Sequence, residues 1–174
     1  QANSCNAMGL CGADGDAILA HKRKHPVMDY GFVGDVDMIN TSLISSLIRQ
    51  NITPVFAPIT HDQQGQLLNT NADTIAQEVA LAMSTLYKTT LVYSFEKEGV
   101  LLDAEDNSTL IPEIDPEYFR QLKDDKKIFA GMIPKLDNAF KALRDGLDEV
   151  IIGPAEKLDD LMAGHTGTRI VAGR

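Results

Sequence analysis

Tryptophan is absent, aromatic residues make up 6% of the chain, and cysteine occurs only twice in 174 residues. Two thiols, Cys5 and Cys11, make neither a disulfide framework nor a zinc site, so both read as reduced, with Cys11 buried. No run approaches the roughly 20 consecutive apolar residues of a membrane span, and no charged segment followed by an apolar one opens the chain. The sequence therefore reads as that of a cytoplasmic protein. A sustained Lys/Arg stripe is also missing: the formal charge is −9, and the one basic run, Lys22-Arg23-Lys24, is short. That argues against a nucleic-acid backbone or an anionic membrane as partner, since both need clustered positive charge. Nothing fits G-x-x-x-x-G-K-[ST] or G-x-G-x-x-G, so any phosphate must be held on another scaffold. His21, His25, His61 and His165 are scattered without zinc-like spacing and read as structural.

What the chain does have is 44% hydrophobic residues, the content of a folded globular protein. Ala7 to Leu10 reads as a strand closed by a Gly/Asp turn at 12–16, and Ala17 to Lys22 as a second strand. Gly31 to Val36 is a glycine-punctuated extended segment. From Ile39 the apolar residues Ile39, Leu43, Ile44, Leu47 and Ile48 recur at helical spacing, with Asn40 or Thr41 as N-cap. Ile52 to Ile59 is a strand weakened by Pro54 and Pro58. A turn at 62–65 leads to a helix from about Ala72 to Ser84. Thr89 to Ser94 and Gly99 to Leu102 read as two strands flanking a charged turn. Asp115-Pro116-Glu117 gives an N-cap, a proline at N1 and an acidic first turn. Ile133 to Leu147 carries the apolar stripe of a further helix, with Pro134 tolerated in its first turn. The end repeats this grammar: strand 149–152, helix 155–163 stopped by Gly164, strand 168–172. Strands alternating with helices predict an α/β layered fold with a mainly parallel sheet.

Two segments could carry chemistry. Asn69-Thr70-Asn71-Ala72-Asp73 gathers short polar side chains where an extended segment meets a helix, a place that suits either N-capping or an anion. Gly131-Met132-Ile133-Pro134-Lys135 sets a lysine in the first turn of a helix, where the dipole disfavours it unless an anion compensates; an exposed lysine is the alternative. Asp14 and Asp16, like the acidic turn Asp103-Ala104-Glu105-Asp106, offer too few oxygens for a divalent cation and read as solvated turns, so no metal site is expected.

In order along the chain come Ala7-Met8-Gly9-Leu10 with Gly12 to Asp16, then Gly31-Phe32-Val33-Gly34-Asp35-Val36. Gly65-Gln66-Leu67-Leu68-Asn69-Thr70-Asn71-Ala72-Asp73 follows, then Gly131-Met132-Ile133-Pro134-Lys135 and finally Gly167-Thr168-Arg169-Ile170. This series resembles the acetylglutamate kinases of the amino-acid kinase family over almost the whole chain. The resemblance implies the carbamate kinase-like fold, a three-layer α/β sandwich with a mainly parallel central sheet, incomplete at its N-terminus. Residues 1–84 would belong to the acyl-amino-acid lobe and 85–174 to the nucleotide lobe. It implies transfer of the γ-phosphoryl of ATP, with Mg2+ held mainly by the nucleotide, to the side-chain carboxylate of N-acetyl-L-glutamate in arginine biosynthesis. A homodimer would be expected of the full-length protein. Lys135 matches the position that stabilises the transferring phosphoryl with a second lysine, and Asp73 the carboxylate that orients both. Asn69, with Asn71 close by, matches the side chain that holds the amino-acid substrate. Ser94, Phe95, Glu96, Gly99, Val100 and Leu101, together with Lys127, Ile128, Phe129, Gly131 and Met132, match the segments that hold the nucleotide.

Two departures accompany the likeness. Where the family carries T/S-D-V-x-G-V, this chain reads Ser94-Phe95-Glu96-Lys97-Glu98-Gly99-Val100, replacing the aspartate and lengthening the loop by one residue. Nor does the family's front, a lysine-bearing strand and two glycine-rich turns, have a counterpart here, so the 174-residue piece is expected to be inactive alone. The competing expectations are a kinase for another N-acyl glutamate, such as N-succinylglutamate, and a noncatalytic nucleotide-binding module.

Overall fold

The computed structural model describes residues 2–128 and 131–173. The chain divides into two compact units, Gln1–Met83 and Ser84–Arg174.

In the first unit, β1 (Ala7–Leu10) pairs in parallel with β4 (Thr53–Phe56). A second ladder runs β3 (Gly34–Ile39), β2 (Ile18–Lys22), β5 (Ile59–His61), β6 (Leu67–Asn69), with β2 and β5 parallel and the outer pairs antiparallel. Helix α1 (Thr41–Arg49) starts where the Asn40 side chain accepts from Leu43 N at 3.1 Å. Ile39, read from the sequence as the first residue of the helical stripe, instead closes β3, because the cap forces extended backbone before it. The single strand expected over 52–59 is two. Ala57 N donates to Leu10 O, ending the β1 ladder, and Pro58, with no N–H to offer, marks the switch to the β2 sheet. Ala17, Ile18 and Ile75 of α2 (Ala72–Ser84) form the core, with Val36, Leu43, Phe56 and Val79 packed on it. Burying each such large side chain stabilises by about 1.5–3 kcal/mol.

Gly34 lies against this core for a steric reason. A Cβ there would sit 2.8 Å from Leu68 Cβ and within 3.0 Å of both the Thr60 and Thr70 hydroxyl oxygens. Cys11 is half-buried rather than buried, being next to the backbone turn in which Asp14 accepts from its N–H at 2.7 Å.

The second unit is a four-stranded sheet in the order β7 (Thr90–Ser94), β9 (Glu149–Gly153), β10 (Thr168–Ile170), β8 (Glu113–Ile114). The β7–β9 and β8–β10 pairs are parallel, and β9–β10 is antiparallel. Helices α3 (Pro116–Asp124), α4 (Ile133–Arg144) and α5 (Leu158–Ala163) accompany it. Val150, Ile151, Ile152 and Ile170 from the sheet, with Leu136, Ala139 and Phe140 from α4, are buried in its core. The strand expected at 99–102 is absent. Val100 N donates to the Thr168 hydroxyl rather than to a neighbouring strand, and only a lone bridge joins Leu101 to Leu110. The short strand β8 was not expected, since two residues carry no periodicity.

Candidate functional site

Strands β7 and β9 run parallel and end level, Ser94 opposite Gly153. In open α/β sheets the crevice beyond such carboxyl ends is where ligands bind. A cavity of about 280 Å3 opens here. Phe95, Glu96, Gly99, Val100, Leu101, Ile128 and Met132, all expected at a nucleotide, line it. Lys97, inside the stretch 94–101 matched to the nucleotide, lines it as well, as do Ala104 and Glu105, to which the sequence had not pointed as ligand contacts. The 103–106 turn read as solvent-facing; the Leu101–Leu110 bridge, with Leu102 N donating to Thr109 O and Asp103 N to the Thr109 hydroxyl, folds it back over the cavity. Ser94, Lys127 and Gly131 do not line it. Ser94 is the exposed end of β7, Lys127 pairs with Asp125 at 3.2 Å, and Gly131 is exposed. Phe129 lies outside the described residues.

The cavity walls are mostly apolar, with charge supplied by Glu96 and by Lys97, whose Nζ is 3.7 Å from Glu105. Apolar walls with a few polar groups suit a flat heterocycle. One wall is fixed by Gly99, where a Cβ would come within 2.7 Å of both Leu110 Cδ1 and Thr168 Oγ1. The Thr168 hydroxyl accepts from Val100 N at 2.8 Å and donates its one proton to Ile111 O at 2.7 Å, and both bonds hold this wall.

Lys135 stands one helical turn beyond Met132, in the first turn of α4, and is half-buried. Its Nζ is 5.7 Å from the centroid of the Tyr93 ring, close enough for cation–π attraction. The first turn of α4 holds no acidic residue. An ammonium and the positive end of a helix thus reinforce one another beside the cavity, the electrostatics of an anion site.

In the first unit, Asn69 ends β6, pairing with Ile59, and its N–H donates to Phe32 O at 2.7 Å. Asn71 caps α2, accepting from Thr74 N at 3.1 Å. Of the two readings of this segment, capping accounts for the Asn71 Oδ1 alone. Asn69 and Asn71 are exposed and Asp73 is half-buried in the first turn of α2. Thr70 between them is buried and hydrogen-bonded to Thr60 and Gly34 O, which fixes the backbone from which both asparagines project.

Other titratable groups serve local structure. Asp62 accepts from Gln64 N and Gln66 N, and these backbone donors hold its carboxyl below the usual range. Asp106 is likewise lowered by its bonds from Ser108. His21 Nδ1 is 2.7 Å from Asp37, and His61 Nε2 is 2.9 Å from Asp16. Among the described residues no group of three His, Cys, Asp or Glu is placed to hold a metal ion, and no helix is long and apolar enough to cross a membrane.

Residues 1–153 match the amino acid kinase family. The acetylglutamate kinase of Bacteroides thetaiotaomicron is 51% identical over 170 residues, covering 98% of this chain and 65% of that protein. The chain spans just under two thirds of the length of the curated relatives it matches. Among solved structures, N-acetylglutamate synthase from Neisseria gonorrhoeae aligns with a TM-score of 0.78 at 17% identity, over 98% of this chain and 39% of that one. Giardia carbamate kinase aligns at 0.62 and 18%, over 96% and 63%. At these identities the structural likeness shows the fold alone.

Proposed function

The chain belongs to the amino acid kinase family, and on that premise we propose that it is part of an acetylglutamate kinase, transferring the γ-phosphoryl group of MgATP to the side-chain carboxylate of N-acetyl-L-glutamate. The observation that carries the reading is the joint placement of an apolar cavity and a half-buried lysine. Met132 is on the cavity wall, and Lys135 stands one turn along the same helix.

In this reading the base occupies the cavity between Phe95, Val100, Leu101 and Met132, and the phosphates extend towards the N-terminus of α4. A carboxylate oxygen of the acceptor attacks the γ-phosphorus, the bond from that phosphorus to the β-bridging oxygen breaks, and ADP and an acyl phosphate form. Catalysis of such a transfer is mostly positioning and neutralisation of charge on the transferring group. Lys135 supplies that charge, and Mg2+ arrives on the nucleotide as part of the substrate. Asp73 takes the orienting role that the resemblance gives it. Asn69, with Asn71, holds the acyl-glutamate; an N-succinyl substrate would use the same residues. The protein is proposed to work in the cytoplasm, and as a homodimer when full length.

The replaced aspartate in the loop 95–98 favours one second reading, a module that binds nucleotide without turning it over. Calorimetric titration of the 174-residue chain with MgATP, and acetylglutamate-dependent ADP release by the full-length protein, test the proposal. Binding together with turnover that falls about 100-fold or more in Lys135→Ala is expected. Absence of MgATP binding overturns the nucleotide reading, and binding without turnover favours the module.

A further inference from the structure

The lengthened loop after β7 places its residues unequally. Phe95, Glu96, Lys97 and Gly99 line the cavity, whereas Glu98 does not. Its carboxylate accepts from Lys157 Nζ at 2.6 Å and from the Thr166 hydroxyl at 3.0 Å. Lys157 closes the 3-10 turn Ala155–Lys157 that follows β9, and Thr166 lies in the loop leading into β10. One carboxylate therefore ties together the segments after β7, after β9 and before β10.

The need for that tie follows from the backbone. Phe95 N donates to Gly153 O at 2.9 Å and Val100 N to the Thr168 hydroxyl at 2.8 Å, which fixes both ends of the loop. Between them, among the described residues, no backbone N–H from Glu96 to Gly99 donates within the protein. A surface loop without such bonds samples many conformations, and ordering it costs free energy at the moment a ligand arrives. The Glu98 side chain is only 26% exposed, so its bonds are partly shielded from competing water, and the Thr166 bond adds a fixed direction to the charge pair.

We infer that Glu98 is a positioning residue for the nucleotide: bound to Lys157 and Thr166, it pre-sets the cavity wall formed by Phe95, Glu96 and Lys97. This rests on the nucleotide reading of the cavity. It also gives the departure from the family's loop pattern a role, since the longer loop carries its own anchor.

The test is calorimetric titration of the 174-residue chain with MgATP, with the thermal midpoint followed in parallel. The wild-type chain binds, and Glu98→Ala and Lys157→Ala each raise Kd about fivefold, the scale of one partly shielded charged hydrogen bond. Exchanging the charges, Glu98→Lys with Lys157→Glu, brings Kd back to within about twofold of wild type. Glu98→Gln, which keeps an acceptor for Thr166, falls in between and serves if the alanine variant does not fold. Wild-type binding with an unchanged Kd in Glu98→Ala overturns the inference, even if the midpoint falls, because the residue would then only stabilise the fold. Loss of binding in Lys157→Ala but not in Glu98→Ala overturns it too, since Lys157 would itself be touching the nucleotide. A wild-type chain that does not bind MgATP overturns the nucleotide reading instead, and is told apart from these by the first titration.

Discussion

The hydroxyl oxygens of Thr60 and Thr70 lie 2.9 Å apart, both side chains buried, and Thr70 Oγ1 is 3.1 Å from Gly34 O. With Thr70 donating to the carbonyl, Thr60 donates to Thr70, and the pair locks β5, the start of β3 and the residue before the α2 cap into one arrangement. Thr70→Val keeps the shape and removes the hydroxyl, stranding the Gly34 carbonyl and leaving the Thr60 hydroxyl only the Leu68 carbonyl at 3.4 Å. The expected loss is about 1–3 kcal/mol, read from urea denaturation followed by circular dichroism. Thr60→Val with Thr70→Val should cost less than the sum of the single changes. Strict additivity would mean that the two hydroxyls do not interact.

Gly34 makes the same point sterically. Alanine there must displace Leu68 and both threonine hydroxyls, for a predicted loss of about 1–3 kcal/mol by overpacking. Gly9 in β1 is the internal comparison, because nothing lies within 4 Å of where its Cβ would be. Gly9→Ala should leave the urea midpoint almost unmoved. Equal effects at the two positions would contradict the packing described for β3.

Which parts of this architecture a reader could find in the sequence depends on the range of the interaction. The start of α3 was legible because its chemistry is local: Asp115 accepts from Tyr118 N at 2.7 Å, with Pro116 at the first helical position. So was the Asn40 cap of α1. The cavity was legible in part. Phe95 and Met132 stand in segments quoted for their likeness to a family, while Ala104 and Glu105 depend on a bridge between Leu101 and Leu110 that no periodicity announces. The Glu98 clamp was invisible, since its partners lie 59 and 68 residues further on and look like ordinary surface residues. The strand expected over 99–102 failed for a related reason: a hydroxyl 68 residues distant takes the N–H that a ladder would have used.

Phe95 replaces the aspartate of the family pattern and lines the cavity, half-buried. An aromatic wall can stack on a purine, which an aspartate cannot. Phe95→Ala is therefore expected to weaken MgATP binding about tenfold, and Phe95→Tyr to leave it nearly unchanged. A Phe95→Trp variant supplies an optical signal in a chain without native tryptophan, and its emission should change on titration with MgATP. Equal affinity of the alanine variant and wild type would remove Phe95 from the proposed base site.

The Glu98–Lys157 bridge predicts a pH dependence whose sign follows from the two partners. The Lys157 ammonium first, and the Thr166 hydroxyl second, hold the Glu98 carboxyl below its ordinary 4.5, while Glu98 raises Lys157 above its ordinary 10.5. A carboxyl depressed in the folded state adds stability that is complete above its ordinary value and disappears as pH falls through the folded one. For the raised lysine the contribution is complete below 10.5 and disappears as pH rises beyond it. The loop is therefore tied throughout the neutral range and released only in acid or strong base. Carboxyl carbon NMR of the chain should show Glu98 titrating below 4.5, and Lys157→Met should move it back up, leaving the share that Thr166 supplies. If the low value survives in Lys157→Met, the ammonium is not its cause, and the bridge would not be what orders the cavity wall.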